Sequence, residues 1–249
     1  MNIGVSVPLP AYHVDVGFMA RKAEELGFES FWCAEHPFIP VNSASRFPGS
    51  PDGVIPESYS LLLAKEISTL DLFSGGRFLF GIGAGWLREE TQIMGGDFDH
   101  RWTQTRESIL AMKELWTKPA AEFHGKYYDF PPVKSFPKPL QRPHPPVLLG
   151  GGAKNVLQRV VAWGDGWLPN RITPGELRES RTTLDRLAKD AGRDPSKITI
   201  SVHGQPADLD LLRRLHDAGA TRVIVRPPVV KTESEMGAEL TRIAEAVLK

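Results

Sequence analysis

Apolar and polar positions follow two alternating periods along the chain. Residues 2–8 (NIGVSVP) alternate and include β-branched side chains, which predicts a strand over 3–7. Residues 15–26 place Val16, Met19, Ala20, Ala23 and Leu26 on one face of a helix. Gly27 then stands where a left-handed cap residue belongs, and a second strand is expected at 30–34. The order repeats with a helix at 61–72, a stop at Ser74-Gly75-Gly76 and a strand at 77–82. That strand is almost continuously apolar, as strands covered on both faces are. A helix follows at 102–116, with Ile109, Met112, Leu115 and Trp116 on one side. Further strands are expected at 146–149, 166–169, 198–203 and 222–226, alternating with helices at 154–163, 174–190, 207–218 and 234–248.

Strand–helix alternation with short connections predicts an α/β protein with a parallel sheet and right-handed crossovers. An open doubly wound sheet and a closed barrel both satisfy this. The even spacing of units, the single apolar stripe on each helix and the lack of a dinucleotide fingerprint favour a TIM-type (β/α)8 plan in one domain, 1–249. Only seven strands can be counted, however. The shortfall lies in 37–60, where Gly53-Val54-Ile55 is the one short apolar piece. A strand–helix unit needs about 30 residues, so none fits there. Segments 37–60 and 117–145, rich in proline, read as long loops. A missing strand exposes two sheet edges, and homodimer contacts are the expected compensation.

Composition narrows the function classes. Net charge is zero and the pI is near 7.1, which gives no basic footprint for nucleic acid or anionic membranes. No apolar run reaches the roughly 18 residues of a membrane span. The N-terminal MNIGVSVPLP lacks the features of a signal peptide, and the one cysteine, Cys33, fits a reducing cytoplasm. There is no CxxC, HExxH or GxSxG, so neither a metal site nor a nucleophile elbow is expected.

Three motifs sit where strands end. GIGAGW (Gly81–Trp86) follows the 77–82 strand. Its glycines either make a tight turn or keep side chains away from a flat ligand, and TIM barrels place their sites at such strand ends. Gly150-Gly151-Gly152-Ala153-Lys154-Asn155 joins a strand to a helix. It is either a flexible connection or a phosphate cradle, in which backbone N–H groups, the helix N-terminus and Lys154 meet an anion. Glu35 and His36 end the second strand, where an imidazole suits proton transfer unless it is structural. His203 is a weaker candidate of the same type. His100-Arg101 and Arg88-Glu89-Glu90 read as a solvated face, and His13, His124 and His144 lack metal-ligand spacing.

Several segments together resemble one family. LLLAKEISTLDLFSGGRFLFGIGAGWLREE is similar to the signature of luciferase-like monooxygenases, above all their coenzyme F420-dependent oxidoreductase branch. ELGFESFWCAEH, PKPLQRPHPPVLLGGGAKNVLQRVVAWGDGWLP and LRRLHDAGATRVIV agree with it. The resemblance implies a TIM barrel binding F420, or alternatively FMN, at its strand ends. It implies that Gly150, Gly151, Gly152, Ala153 and Lys154 hold the cofactor phosphate, that Gly83, Ala84 and Trp86 lie near ring or substrate, and that His36 and Glu35 serve catalysis. The chemistry implied is hydride transfer to or from a small organic substrate. Members of the family carry a further strand and helix after the 37–60 region, which this chain lacks between residues 53 and 61. The alternatives are a non-catalytic barrel descendant that binds a ligand or partner, and a phosphosugar-binding barrel enzyme.

Overall fold

A computed structural model describes residues 1–7, 14–33 and 59–248, with the side chains of Val7, Val16, Cys33 and 59–62 excepted. The chain runs β1 (Asn2–Val7), α1 (Val16–Glu25), β2 (Ser30–Cys33), α2 (Tyr59–Phe73) and β3 (Phe80–Ile82). Next come α3 (Arg88–Ile93), α4 (Arg101–Thr117), β4 (Ala121–His124) and β5 (Asp129–Val133). The alternation then resumes with β6 (Val147–Gly150), α5 (Val156–Trp163), β7 (Gly166–Leu168), α6 (Pro174–Asp190), β8 (Thr199–Gln205), α7 (Leu209–Asp217), β9 (Arg222–Val225) and α8 (Glu233–Val247). Among the described residues, seven of the nine strands are parallel-paired, as the sequence predicts. No helix of the described residues is long and apolar enough to cross a membrane.

The chain forms two compact units. One takes in residues 1–36, 151–162 and 166–249. Its strands lie in the order β2-β1-β9-β8-β7, all parallel. All four residues of β9 are buried, as are Ile200, Ser201 and Val202 of β8, so both strands are covered on both faces. Gly4 lets β1 approach β2, since a Cβ there would stand 2.4 Å from Ser30 Oγ. The helices are closed by local chemistry. Asp15 caps α1, and reciprocal capping boxes, Thr173 with Glu176 and Thr232 with Glu235, start α6 and α8. A polar knot ties β9 to β8 and to the turn before β2. Arg222 grips the Glu29 carboxylate with Nε and Nη2 and donates from Nη1 to Ser201 Oγ.

The other unit takes in residues 37–150 and 163–165. Its β3 and β6 are parallel, with Phe80 opposite Val147 and Ile82 opposite Leu149. The predicted face of α4 is its buried one, and Trp116 Nε1 donates to the Ala64 carbonyl of α2 at 2.9 Å.

Three expectations change. The strand foreseen at 77–82 spans only Phe80–Ile82. Gln141 Nε2 takes the Phe78 carbonyl at 2.8 Å, and the ladder begins where Phe80 N–H meets Pro146 O. Segment 117–145 is not one open loop. It contains the antiparallel β4–β5 pair, held to α4 by Tyr127 N–H donating to Glu107 Oε2 at 2.7 Å. Pro131 and Pro132 hide β5 from a sequence reader, yet a two-stranded ribbon has an open edge where a missing N–H costs nothing. Finally, α3 occupies what reads as a solvated stretch, and Glu90 within it is only 3% exposed. Residues 37–58 of the other expected loop lie outside the described residues, and α2 begins at Tyr59.

Candidate functional site

The ends of β3 and β6 are neighbours, because Ile82 pairs with Leu149. Gly83 and Gly150 are the next residues out. A Cβ at Gly150 would touch Ile82 O at 3.4 Å, while one at Gly83 would meet nothing nearer than Gly85 N at 3.8 Å. Ala84 is buried, Gly85 takes φ +79°, and Trp86 is half-buried at the turn into α3. Gly85 therefore makes the turn through its own backbone. Among the described residues no atom accounts for the glycine at 83.

The glycine loop after β6 divides its backbone groups in a way the sequence does not reveal. Gly151 has φ +89°. Its N–H donates to Leu168 O at 3.1 Å, and its carbonyl accepts from Trp167 Nε1 at 2.8 Å. Gly151 thus anchors the loop to β7. The next four N–H groups, of Gly152, Ala153, Lys154 and Asn155, have no acceptor among the described residues. They lead directly into α5, whose N-terminus carries partial positive charge. A Cβ on Gly152 would meet nothing within 4 Å. Lys154 is exposed beside them. Free donors, a helix N-terminus and unfilled space fit the phosphate of a cofactor.

A third strand end is organised around His203. Its N–H donates to Pro169 O at 2.8 Å and its carbonyl accepts from Arg171 N–H at 3.0 Å, so the chain after β7 is clamped to β8. Burial, with the nearby Arg226 charge adding to it, lowers the His203 pKa from 6.5 to about 4. The ring is therefore neutral at physiological pH and able to accept a proton. Gly204 follows with φ +77°, and a Cβ there would lie 2.6 Å from Asn170 Oδ1. Sequence reasoning passed over Asn170, Gln205 and Arg226. Their one signal was position, each next to the end of a strand.

Glu35 and His36 lie outside the described residues. The remaining polar candidates have structural employment. Arg88 pairs with Asp99 at 2.7 Å and lies over the Phe98 ring, as does Arg101. His100 Nδ1 meets Asp97 at 2.6 Å and His124 Nδ1 meets Asp129 at 2.6 Å. His144 packs against Trp116 with its Nδ1 at the Pro145 carbonyl, and burial lowers its pKa. Among the described residues no group of three His, Cys, Asp or Glu side chains could hold a metal ion.

The family model of luciferase-like monooxygenases matches residues 53–208. An uncharacterized protein of Mycobacterium tuberculosis (strain ATCC 25618 / H37Rv) is 31% identical over 248 residues, which is 84% of this chain and 86% of that protein. The FMNH(2)-dependent dimethylsulfone monooxygenase of Pseudomonas putida is 37% identical over 117 residues, 44% of this chain and 32% of its own length. The F420-dependent glucose-6-phosphate dehydrogenase of Amycolatopsis mediterranei (strain U-32) is 27% identical over 204 residues, 73% of this chain and 60% of that enzyme. Among solved structures, the coenzyme F420 dependent tetrahydromethanopterin reductase of Methanopyrus kandleri matches with a TM-score of 0.74 at 17% identity, over 99% of this chain and 98% of that one. That likeness establishes an α/β fold of TIM-barrel type, here with seven parallel strands among the described residues.

Proposed function

Since the chain belongs to the luciferase-like monooxygenase family, we propose that it is an oxidoreductase using coenzyme F420 on a small organic substrate. The observation that carries this is the glycine loop. Four consecutive N–H donors at 152–155 point to an anion, and among the described residues no side chain fills the space over Gly152. F420, when bound, supplies a deazaflavin ring that accepts or gives a hydride. The chain's residues do the rest. The N–H groups of Gly152 to Asn155 and the α5 N-terminus hold the phosphate, and Lys154 adds a full charge. Gly150 and Gly151 fix that loop to β6 and β7. Gly83, Ala84 and Trp86 form the wall on which ring or substrate rests. Glu35 and His36 are proposed to move the proton that accompanies the hydride. His203, kept neutral by burial and Arg226, is a second base for that step.

FMN is the second reading, supported by the 37% identity to the FMNH(2)-dependent enzyme. Both cofactors bring a phosphate and a tricyclic ring. The enzyme is read as cytoplasmic, and as a homodimer whose mass in solution would be twice the 27.6 kDa chain. Fluorescence titration with F420 and with FMN is the test. The tighter ligand identifies the cofactor. If neither binds below about 100 µM, roughly −5.5 kcal/mol, the oxidoreductase assignment fails and a ligand-binding descendant takes its place.

A further inference from the structure

A cleft of about 790 Å³ lies in the first unit, where the segments following β7, β8 and β9 meet α8. Much of its wall is apolar, including Ile172, Leu211, Val229 and Ile243. Hydrogen-bond donors without partners break this lining. Gln205, the last residue of β8, is 5% exposed and lines the cleft. Its Nε2 is enclosed and has no hydrogen-bond partner among the described residues. An enclosed donor left unpaired costs about 1–3 kcal/mol, and an acceptor brought by a ligand removes that cost. The backbone is shaped to set Gln205 there. Gly204 turns through φ +77°, and the β8–β9 register slips by one residue, from Val202 opposite Val223 to Gln205 opposite Val225. One extra residue in a strand re-aims the side chains beyond it.

Two cations share the cleft. Arg171 and Arg226 line it, both exposed, and neither guanidinium has a hydrogen-bond or ion-pair partner among the described residues. The other charges there cancel, since Arg242 bonds both oxygens of Glu239. An amide donor and two open guanidinium forks suit an acceptor with several oxygens and negative charge. The apolar remainder suits an organic body attached to it.

We propose that this cleft is a subsite for an oxyanion, phosphoryl or carboxylate, carried on a small and partly apolar molecule. Gln205, Arg171 and Arg226 are its donors. The subsite is separate from the glycine loop and stands whether or not F420 binds. Calorimetric titration of the full chain with inorganic phosphate, and separately with citrate, tests it. Binding at this cleft is expected to weaken at least tenfold in Arg226→Gln and in Gln205→Leu, whereas phosphate held at the glycine loop is expected to weaken in Lys154→Gln and to persist in Arg226→Gln. Phosphate binding alone assigns a phosphoryl ligand, and citrate binding alone a carboxylate. A second measurement separates recognition from folding. Gln205→Leu removes an unpaired buried donor, so its ligand-free melting temperature should equal or exceed that of the parent chain. The subsite is overturned if neither probe binds, if the loss appears in Lys154→Gln instead, or if Gln205→Leu keeps full affinity.

Discussion

Gly204 and Gly152 are glycines for different reasons, and substitution separates them. Gly204 holds φ +77° with its absent Cβ 2.6 Å from Asn170 Oδ1, so the protein itself requires it. Gly204→Ala should cost about 1–3 kcal/mol in urea unfolding. Gly152 has no such constraint, as a Cβ there meets open space. Gly152→Leu should leave unfolding unchanged and abolish cofactor binding. Equal stability losses at the two positions would contradict both assignments. His203 supplies a pH effect at the same scale. Its pKa is about 4 when folded against 6.5 as its ordinary value, with burial the first cause and Arg226 the second. Between those values the unfolded chain binds a proton that the folded one refuses. Stability therefore falls as pH drops from 6.5 to 4, and this contribution levels off outside that window. His203→Gln should unfold with a shallower pH slope than the parent across that range, and identical slopes would refute the assignment.

At the scale of elements, the Arg222 knot joins β9 to β8 and to the turn before β2. Burial raises the Glu29 pKa, but hydrogen bonds from Arg222 and Ser30 and the Arg222 charge outweigh it, leaving the carboxyl below its usual range. Arg222→Met should cost about 3 kcal/mol, the low end for breaking a buried pair because the Glu29 side chain is 32% exposed. Adding Glu29→Leu should restore part of that loss in the same unfolding assay, since no charge is then left unpaired; a double variant weaker than the single would exclude this account. The helices of this layer were legible. Apolar spacing and the Thr-x-x-Glu caps before α6 and α8 act within one or two turns, so sequence displays them. What failed depends on distant partners. β3 is shortened by Gln141, far along the chain, and β4–β5 is secured by Glu107 of α4 beneath a proline-marked sequence. The glycine loop was visible as strand–Gly–helix. Which of its N–H groups stay free was not, because Trp167 and Leu168 decide that. The cleft was invisible for the same reason. It gathers Arg171, Gln205 and Arg226 from three strand ends, and a bulge sets one of them.

For the whole molecule, the consequence of the glycine loop is a stability that depends on ligand. Without one, the chain folds with the donors at 152–155 unpaired and the space over Gly152 unfilled among the described residues. A cofactor that binds only the folded state adds RT ln(1 + [L]/Kd), about 2.7 kcal/mol at a hundredfold excess over Kd. For a chain of 249 residues this amounts to a rise of roughly 5–10 °C in melting temperature. Differential scanning fluorimetry with F420 and with FMN, each from zero to a hundredfold excess, should show that rise for one of them, growing with the logarithm of concentration. Gly152→Leu should melt with the ligand-free parent and show no rise. A rise of equal size in Gly152→Leu would place the cofactor away from the glycine loop. A parent chain indifferent to both ligands would remove the cofactor while leaving the oxyanion cleft to be judged by its own titration.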